Sequence, residues 1–425
     1  MSSPTASASS NIMLPQFFFV SSVPLRVTSF SARLPSASAK RRHAHRTARA
    51  SMSAHKSDAA IKLPRRTFLS TTALAALQLS ATPANAERVL TPPAWRQVDL
   101  DSSETIYDMD FSPVDPAHGF LVGSRGTVAE TFDQGQTWEP RSFARLDADE
   151  ELNYRFEVVT FRGKEGWVIG KPSLLLHTTD SGKSWERVPL SPKLPGEPVA
   201  ITALGPQKAE MTTNAGAVYV TENGGRNWKA QVRETIDATL NRTISSGVTG
   251  ASYFTGSIIQ VLRDAYGAYL AISSRGNFFL TWKPGQEFWI PHARDSSRRI
   301  QSMGFVSNDV NEGVWMATRG GGLAFTDKQP DLESTDLLKF NKVDIRSGGY
   351  GILDVAFRPG TSEAWAAVGG GTLYYSQDGG RTWRRDDKTG KVGTNIYRIK
   401  FFDKDNGFAL GANGVVLRFD ASGSV

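Results

Sequence analysis

Cysteine is absent from all 425 residues of the sequence. Disulfides, thiolate metal sites and iron–sulfur clusters are therefore excluded. Histidine is scarce as well, with six residues, of which His118, His177 and His292 lie beyond residue 86. These three are far apart and lack the spacing of metal ligands, so each is expected on the surface or in the core. We predict no metal site and no cofactor.

Acidic residues are missing from the first 50 residues, which are rich in Ser, Ala and Arg. That composition is typical of an organelle transit peptide. The segment 51–86 then contains, in order, Arg65, Arg66, an apolar run at 73–77, and Ala84 and Ala86 as a small-x-small cleavage site. The order indicates a twin-arginine signal, although chance basic residues beside a short apolar stretch are the alternative. The apolar run is too short to span a bilayer stably. The tandem signals predict a plastid protein delivered to the thylakoid lumen.

The formal charge of +7 comes from this presequence. Residues 1–86 contain 11 Lys and Arg and one acid, Asp58, whereas the rest of the chain has 38 basic and 41 acidic residues. The mature chain is thus slightly acidic, and it has no motif that reads RNA or DNA. We therefore predict no nucleic-acid partner.

A six-residue signature, Asp-x-Gly-x-Thr-Trp, recurs along the chain. Its copies begin at Asp133, Asp180, Asn223 and Asp378 and end at Trp138, Trp185, Trp228 and Trp383. Asp or Asn can bond the backbone nearby, Gly takes a positive φ, and Thr and Trp start the next strand. Catalysis or calcium binding is the alternative role for the acids. A single active site would not repeat in this way, so we interpret the signature as a hairpin turn that ends in a large buried ring.

A second block, an apolar strand that usually follows Gly, precedes each turn and recurs seven times at intervals of 43 to 58 residues. A period near 40–50 with several short strands is typical of a β-propeller. The seventh copy stops at Asp420 without a Trp strand, whereas the segment 94–100 supplies Trp95 without a preceding copy. We therefore predict an all-β fold over 87–425: seven four-stranded blades, with the N-terminal strand completing the last blade.

Basic residues recur in the turn after each blade's second strand and in the connections between blades. The turns contain Arg125, Lys171, Arg275 and Arg319, and the connections contain Arg242, Arg294, Arg298, Arg299 and Arg346. In an up-and-down blade both kinds of segment emerge on one face. The sequence therefore predicts a basic rim, densest over blades four and five, for binding an acidic partner. An ordinary solvated surface is the alternative, but the preference for Arg over Lys favours an interface.

The fourth copy is irregular, because it lacks the Asp turn and lies after the longest interval. The fifth copy has also lost that turn. Such a blade is where a binding surface is expected, and simple decay of the repeat is the alternative. Its aromatic residues Phe279, Phe288 and Trp289 are interpreted either as apolar anchors for a partner or as core.

The middle of the chain resembles a known family. The residues that carry the resemblance are 273–282 (SSRGNFFLTW), Pro284-Gly285, Trp289, Pro291-His292, Leu240–Thr243, Ser245–Gly247 and Arg298–Phe305. They are similar to the photosystem II stability and assembly factor of the thylakoid lumen, and the match extends from Trp95 to Phe419. Where the family pattern has Asn-Arg after His292, this chain has Ala293-Arg294, which keeps the arginine.

The resemblance implies a seven-bladed propeller without enzymatic activity that binds the newly made reaction-centre core subunit of photosystem II on the lumenal side. It also implies that this binding promotes assembly with a partner subunit. An arginine-rich surface contacts the client in that family, and the matching positions here are Arg242, Arg275, Arg298, Arg299 and Arg319. The protein is expected to be a monomer held at the thylakoid membrane by protein contacts.

Two other functions remain open from the residues. Sialidase-like and related glycoside hydrolases share the Asp turns and an arginine cluster, but this chain lacks their Phe-Arg-Ile-Pro segment and shows no evident Tyr–Glu pair. A permanent structural subunit of a larger complex is the third possibility, which the sequence hardly separates from an assembly factor.

Overall fold

The computed structural model describes residues 94–143, 154–232, 258–334, 337–390 and 392–423. Within these ranges the regular structure is 28 β-strands and short 3-10 turns, and no helix there is long and apolar enough to cross a membrane. The strands form seven four-stranded antiparallel sheets. The predicted all-β, seven-bladed propeller is confirmed. The residues proposed for targeting, Arg65, Arg66, Ala84 and Ala86, and also Arg242, lie outside the described residues.

The strand bounds follow the repeat. In chain order the strands are β1 Trp95–Val98; β2 Ile106–Ser112, β3 Asp115–Gly123, β4 Val128–Thr131 and β5 Glu139–Arg141 in blade one; β6 Arg155–Arg162, β7 Glu165–Lys171, β8 Leu174–Thr178 and β9 Glu186–Arg187 in blade two; β10 Pro198–Gly205, β11 Lys208–Thr213, β12 Val218–Thr221 and β13 Lys229–Ala230 in blade three; β14 Ile258–Arg263, β15 Tyr269–Ser273, β16 Phe278–Trp282 and β17 Ile290–Ala293 in blade four; β18 Ile300–Phe305, β19 Val314–Thr318, β20 Gly322–Phe325 and β21 Asn341–Val343 in blade five; β22 Ile352–Phe357, β23 Ala364–Val368, β24 Thr372–Ser376 and β25 Arg384–Arg385 in blade six; and β26 Ile396–Phe401, β27 Gly407–Gly411 and β28 Val416–Phe419 in blade seven.

The two ends of the propeller chain meet in blade seven. Strand β1 pairs antiparallel with β28, so that Trp95 lies opposite Phe419 and Val98 lies opposite Val416. The sheet order is β1-β28-β27-β26. The predicted closure by the N-terminal strand is therefore confirmed, and it gives the last blade the same four strands as the others.

The core consists of apolar layers between neighbouring blades, because successive side chains of a strand point to opposite faces. In β3, Phe120 and Val122 pack with blade two, whereas Leu121 packs with blade seven. All three side chains are fully buried. An apolar cluster of this kind lies at each of the seven blade interfaces.

Polar side chains of the innermost strands bond the backbone of the next blade. Examples are the Phe161 N–H donating to the Asp110 carboxylate (2.7 Å), the Ile399 N–H donating to Asp354 (2.7 Å), and the Lys400 ammonium donating to the Met109 carbonyl (2.6 Å). The last of these joins blade seven to blade one. These bonds satisfy backbone groups that the sheets leave unpaired along the channel.

The Asp turns are closed by local hydrogen bonds. The Asp133 carboxylate accepts from the Thr137 N–H at 2.9 Å and from its hydroxyl at 2.6 Å, and Gly135 has a φ of +77°. Equivalent bonds join Asp180 to Ser184, Asp378 to Thr382, and Asn223 to the N–H of Asn227. These contacts agree with the interpretation of the signature as a turn.

A hydroxyl two residues before the Asp completes each turn. The Thr131 hydroxyl donates to Asp133 at 2.8 Å and accepts the Gly135 N–H at 3.0 Å. The same bonds are made by Thr178, Thr221 and Ser376. This position lies outside the six-residue signature, although a hydroxyl residue is present there in all four copies.

The ring that ends the signature is less uniform than predicted. Trp138 and Trp383 are buried at 7% and 8% exposure, whereas Trp185 and Trp228 are only half-buried. The expectation of a large buried ring is therefore correct for two of the four copies. In the other two the ring stays partly exposed, because the outermost strand that it begins lies at the rim of its blade.

Candidate functional site

The propeller has two faces, which contain different turns and connections. We call one the Asp-turn face, since it contains the turns of Asp133, Asp180, Asn223 and Asp378. The other, the connection face, contains the turns between second and third strands and the connections between blades. Arg125, Arg275 and Arg319 lie in such turns, after β3, β15 and β19. All three are exposed.

The connection between blades four and five is held between two of these turns. The Ile300 N–H donates to the Gly276 carbonyl at 2.8 Å, and the Arg319 N–H donates to the Arg299 carbonyl at 2.9 Å. Three segments distant in sequence are thereby placed side by side. The arginine patch, as we call it, consists of Arg275, Arg294, Arg298, Arg299 and Arg319.

Within the patch, two guanidinium groups are held by neutral acceptors. Arg294 is half-buried and donates to the Asn277 side-chain oxygen at 2.7 Å, and Arg298 donates to the Gly320 carbonyl at 3.2 Å. None of the five arginines forms an ion pair with an acid among the described residues. Four of the five are exposed. Within the part of the chain that the structure describes, the patch is thus a positive surface without a paired acid.

The other predicted rim residues are not part of this patch. Arg346 lies in the next connection and pairs with Asp344 at 3.1 Å. Arg125 is three blades away in either direction and lies 3.6 Å from Glu104. The Lys171 ammonium lies 3.2 Å from Glu157 and lines the central channel. Among the described residues, the predicted rim therefore consists of one patch over blades four and five and of separate basic residues that each lie beside an acid.

The aromatic residues of blade four belong to its core. Phe279 is 0% and Trp289 is 1% exposed, and the Trp289 indole donates to the Gly216 carbonyl of blade three at 2.7 Å. The interpretation of these two rings as partner anchors is therefore wrong. The missing Asp turn is replaced by a bond from the Lys283 N–H to the Gln286 side chain at 2.9 Å.

The buried histidines are bonded within the blades. His118 lies 2.6 Å from Glu130, and His177 lies 2.5 Å from Glu165. Burial lowers the pKa of His292 to about 4, which keeps this ring neutral beside the Thr281 hydroxyl at 2.8 Å. No group of three or more His, Asp or Glu in the described ranges is placed to hold a metal ion.

A Tyr–Glu pair, which the sequence did not reveal, lies between blades three and four. The Tyr269 hydroxyl donates to the Glu210 carboxylate at 2.9 Å, and Arg263 donates to the same carboxylate at 2.7 Å. Tyr269 is 2% exposed. Burial and the Glu210 charge raise its pKa, which is the opposite of what a tyrosine nucleophile requires. The cluster is better suited to joining two blades than to hydrolysis.

A cavity of about 560 Å³ occupies the central channel. Each inner strand has a β-bulge directly after a buried residue. The bulged residues are Tyr107, Glu157, Val199, Ile259, Gln301, Leu353 and Tyr397, and none of them is buried. A bulge of this kind re-aims a side chain. The site predicted from the sequence does not include this ring of residues. In five inner strands, an apolar residue followed two positions later by Asp, Gln, Ser or Arg is the pattern that indicates it.

Asp354→Asn should stabilise the protein near pH 7.5 and have little effect near pH 4. Burial raises the pKa of Asp354 to about 6, against smaller opposing effects of the Ile399 N–H and Arg398. The pKa of the Asp354 carboxyl is higher in the folded than in the unfolded protein. Its contribution to stability is therefore fully present below the unfolded pKa of 3.8 and is lost as the pH rises through about 6. Asn keeps an acceptor for the Ile399 N–H. Thermal unfolding from acid to neutral pH measures the difference, on the order of 1 kcal/mol at neutral pH, and a difference that does not vary with pH would contradict it.

Comparison with known proteins places this architecture in a family. The profile of the family described as "Photosynthesis system II assembly factor YCF48" matches residues 87–420. The chain is 56% identical to the chloroplastic photosystem II stability/assembly factor HCF136 of Cyanidioschyzon merolae, over 84% of this chain and 82% of the relative. It is similar to the solved YCF48 of the same alga, with a TM-score of 0.73, 61% identity and coverage of 77% and 98%.

A second solved relative is "YCF48 bound to D1 peptide", with a TM-score of 0.66, 41% identity and coverage of 78% of this chain and 98% of that one. The likeness to a xyloglucanase from Xanthomonas campestris, at 16% identity and a TM-score of 0.55, shows the propeller fold alone. It gives no support to a glycoside hydrolase. On the family profile and these identities, the chain belongs to the photosynthesis system II assembly factor YCF48 family.

Proposed function

We propose that this protein is a non-enzymatic assembly and stability factor for photosystem II that binds the newly made reaction-centre core subunit through the arginine patch. Membership of the family supports the assembly role, and the relative bound to D1 peptide supports the partner. The observation in this chain that carries the proposal is the set of five arginines placed side by side without an acidic partner among the described residues.

The patch would act mainly by orienting an acidic segment of the client. Guanidinium groups pair bidentately with carboxylates, and they are more weakly hydrated than the ammonium group of Lys. Charge complementarity raises the association rate and fixes the register more than it raises affinity. Arg294 and Arg298 are already held by neutral acceptors at 2.7 and 3.2 Å, so less conformational entropy is lost when a client binds.

We propose the thylakoid lumen as the site of action, with the protein a monomer that reaches the membrane through protein contacts. The Arg65-Arg66 pair and the Ala84-x-Ala86 site support delivery by the twin-arginine route. The chloroplastic name of the Cyanidioschyzon merolae relative supports the plastid step. The family profile begins at residue 87, which is where the proposed presequence of 1–50 and 51–86 ends.

Changing four exposed patch arginines to Glu should weaken client binding by at least about tenfold. The variant carries Arg275→Glu, Arg298→Glu, Arg299→Glu and Arg319→Glu in the mature chain. Lost pairing and new repulsion act in the same direction. Isothermal titration of overlapping synthetic peptides that tile D1 measures affinity, and circular dichroism checks the fold.

A matched variant tests whether position or only net charge decides the affinity. Arg162, Arg226, Arg381 and Arg384 are exposed on or beside the Asp-turn face, and changing all four to Glu alters the net charge equally. This control should bind nearly as well as the natural protein. Equal loss in both variants would overturn a localised patch, and full binding by the patch variant would exclude the patch as the working surface.

Presence of the protein in the mature complex would decide between two roles. An assembly factor should co-purify with early reaction-centre intermediates and be absent from the finished complex. Stoichiometric recovery with the finished complex would favour a permanent subunit instead.

A further inference from the structure

The central cavity reaches the face that contains the arginine patch. Its lining includes residues within the first two positions of β2, β6, β10, β14 and β26, and Lys171, the last residue of β7, and it extends along β14 to Arg263. In this topology the inner strands begin, and the second strands end, on the connection face. One polypeptide can therefore contact both the patch and the channel. We call the outer part of the cavity, lined by Tyr107, Arg155, Glu157, Lys171, Ile259 and Tyr397, the channel mouth.

One side of the channel mouth has a surplus of positive charge. The Glu157 carboxylate pairs with both the Arg155 guanidinium and the Lys171 ammonium, so a single acid compensates two cations. The Arg155 side chain is 45% exposed, and its guanidinium lies 5.5 Å from the centre of the Tyr107 ring. Two cations fixed by one carboxylate, with N–H donors still open to solvent, form a receptor for a second carboxylate.

Two other blades each place an exposed apolar side chain at the channel mouth. Ile259 of blade four is 53% exposed and Tyr397 of blade seven is 44% exposed, although both line a concave surface. Both are bulged residues, so the backbone itself turns them away from the core. Apolar side chains exposed in a concave site, beside a few polar groups, are typical of a ligand pocket.

We propose that the channel mouth is a second client-binding site that takes a peptide carboxylate together with an adjoining apolar side chain. Arg155 and Lys171 hold the carboxylate, and Ile259 and Tyr397 contact the apolar group. The site rests on the proposed function, because the client engaged at the arginine patch supplies the peptide. The patch then orients the client, and the channel mouth selects which segment of it is held.

The absence of cysteine allows a direct test. A thiol introduced by Ile259→Cys should be protected from alkylation by the D1 peptide that binds the natural protein most tightly. The matched variant is Val114→Cys, because Val114 is equally exposed at 55% but lies on the Asp-turn face. Its thiol should react at the same rate with and without peptide. Titrating each variant with the peptide gives the peptide concentration that saturates it, and alkylation is measured at that concentration.

A second pair of variants tests the charge. Lys171→Gln should weaken peptide binding about fivefold, and the loss should disappear when the peptide's acidic residues are changed to amides. Lys208→Gln is the control, because Lys208 likewise pairs with one acid, Glu222, at 2.9 Å on the Asp-turn face. It should bind as the natural protein does.

The outcomes separate the two proposals. If the peptide saturates the protein but leaves position 259 unprotected and Lys171→Gln at full affinity, the channel mouth is overturned and the arginine patch stands alone. If no D1 peptide binds, the proposed function is overturned and the second site with it. Protection at 259 with loss in Lys171→Gln supports the site.

Discussion

Trp95→Ala should lower the free energy of unfolding by about 3 to 5 kcal/mol. Trp95 is 1% exposed, and its ring lies edge-on to Trp365 and Phe419 at 5.6 and 5.2 Å. Removing it leaves a cavity between blades six and seven. It also removes the main anchor of β1, a four-residue strand that begins the propeller and completes blade seven. Urea unfolding followed by tryptophan fluorescence measures the change.

Trp185→Ala is the control for that prediction. Trp185 holds the equivalent place in the repeat of blade two, but it is half-buried and its blade is one continuous piece of chain. Its loss should cost about 2 kcal/mol or less, since less of the ring leaves water. If the two variants lose the same stability, ring closure does not depend on the Trp95 contacts.

Gly182→Ala should destabilise the protein by about 2 to 4 kcal/mol. Gly182 has a φ of +86°, and an added Cβ would lie 2.4 Å from the Phe120 ring of the neighbouring blade. Phe120 is 1% exposed and packed on all sides, so it has no free space to move into. Backbone strain and overlap therefore add. Thermal and urea unfolding measure the loss.

Gly163→Ala separates strain from overlap in the same blade. Gly163 has a φ of +62°, but nothing lies within 4 Å of an added Cβ. Only the conformational cost of about 1 kcal/mol remains. Equal losses at positions 163 and 182 would show that contact with Phe120 contributes nothing.

The Asp turns illustrate why so much of the fold follows from the sequence. Asp133, Gly135 and Thr137 interact within five residues, so the bonds that shape the turn depend on local spacing. The pKa values of the aspartates in these turns reflect the same contacts. Burial raises the pKa of Asp378, but bonds from Thr382 and Ser376 outweigh it and hold the pKa at about 2. The turn stability is therefore present above the unfolded value of 3.8 and is lost as the pH falls through about 2.

The candidate site could be predicted only in part. The turns and connections place Arg275, Arg298 and Arg319 on one face, which follows from the up-and-down order of the strands. The sequence did not show that Arg125 has its own acid, Glu104, or that Lys171 turns into the channel. Such pairing depends on side chains from segments that meet only in the folded ring.

By itself the sequence determined the number of blades, the order of their strands and the closure by Trp95, because period, turn chemistry and alternation of apolar residues are local properties. The tertiary structure decided which arginines form a patch, that Phe279 and Trp289 are core, and that Glu210 meets Tyr269 across 59 residues. Those outcomes depend on distances between segments, which closure of the ring sets and no local pattern encodes.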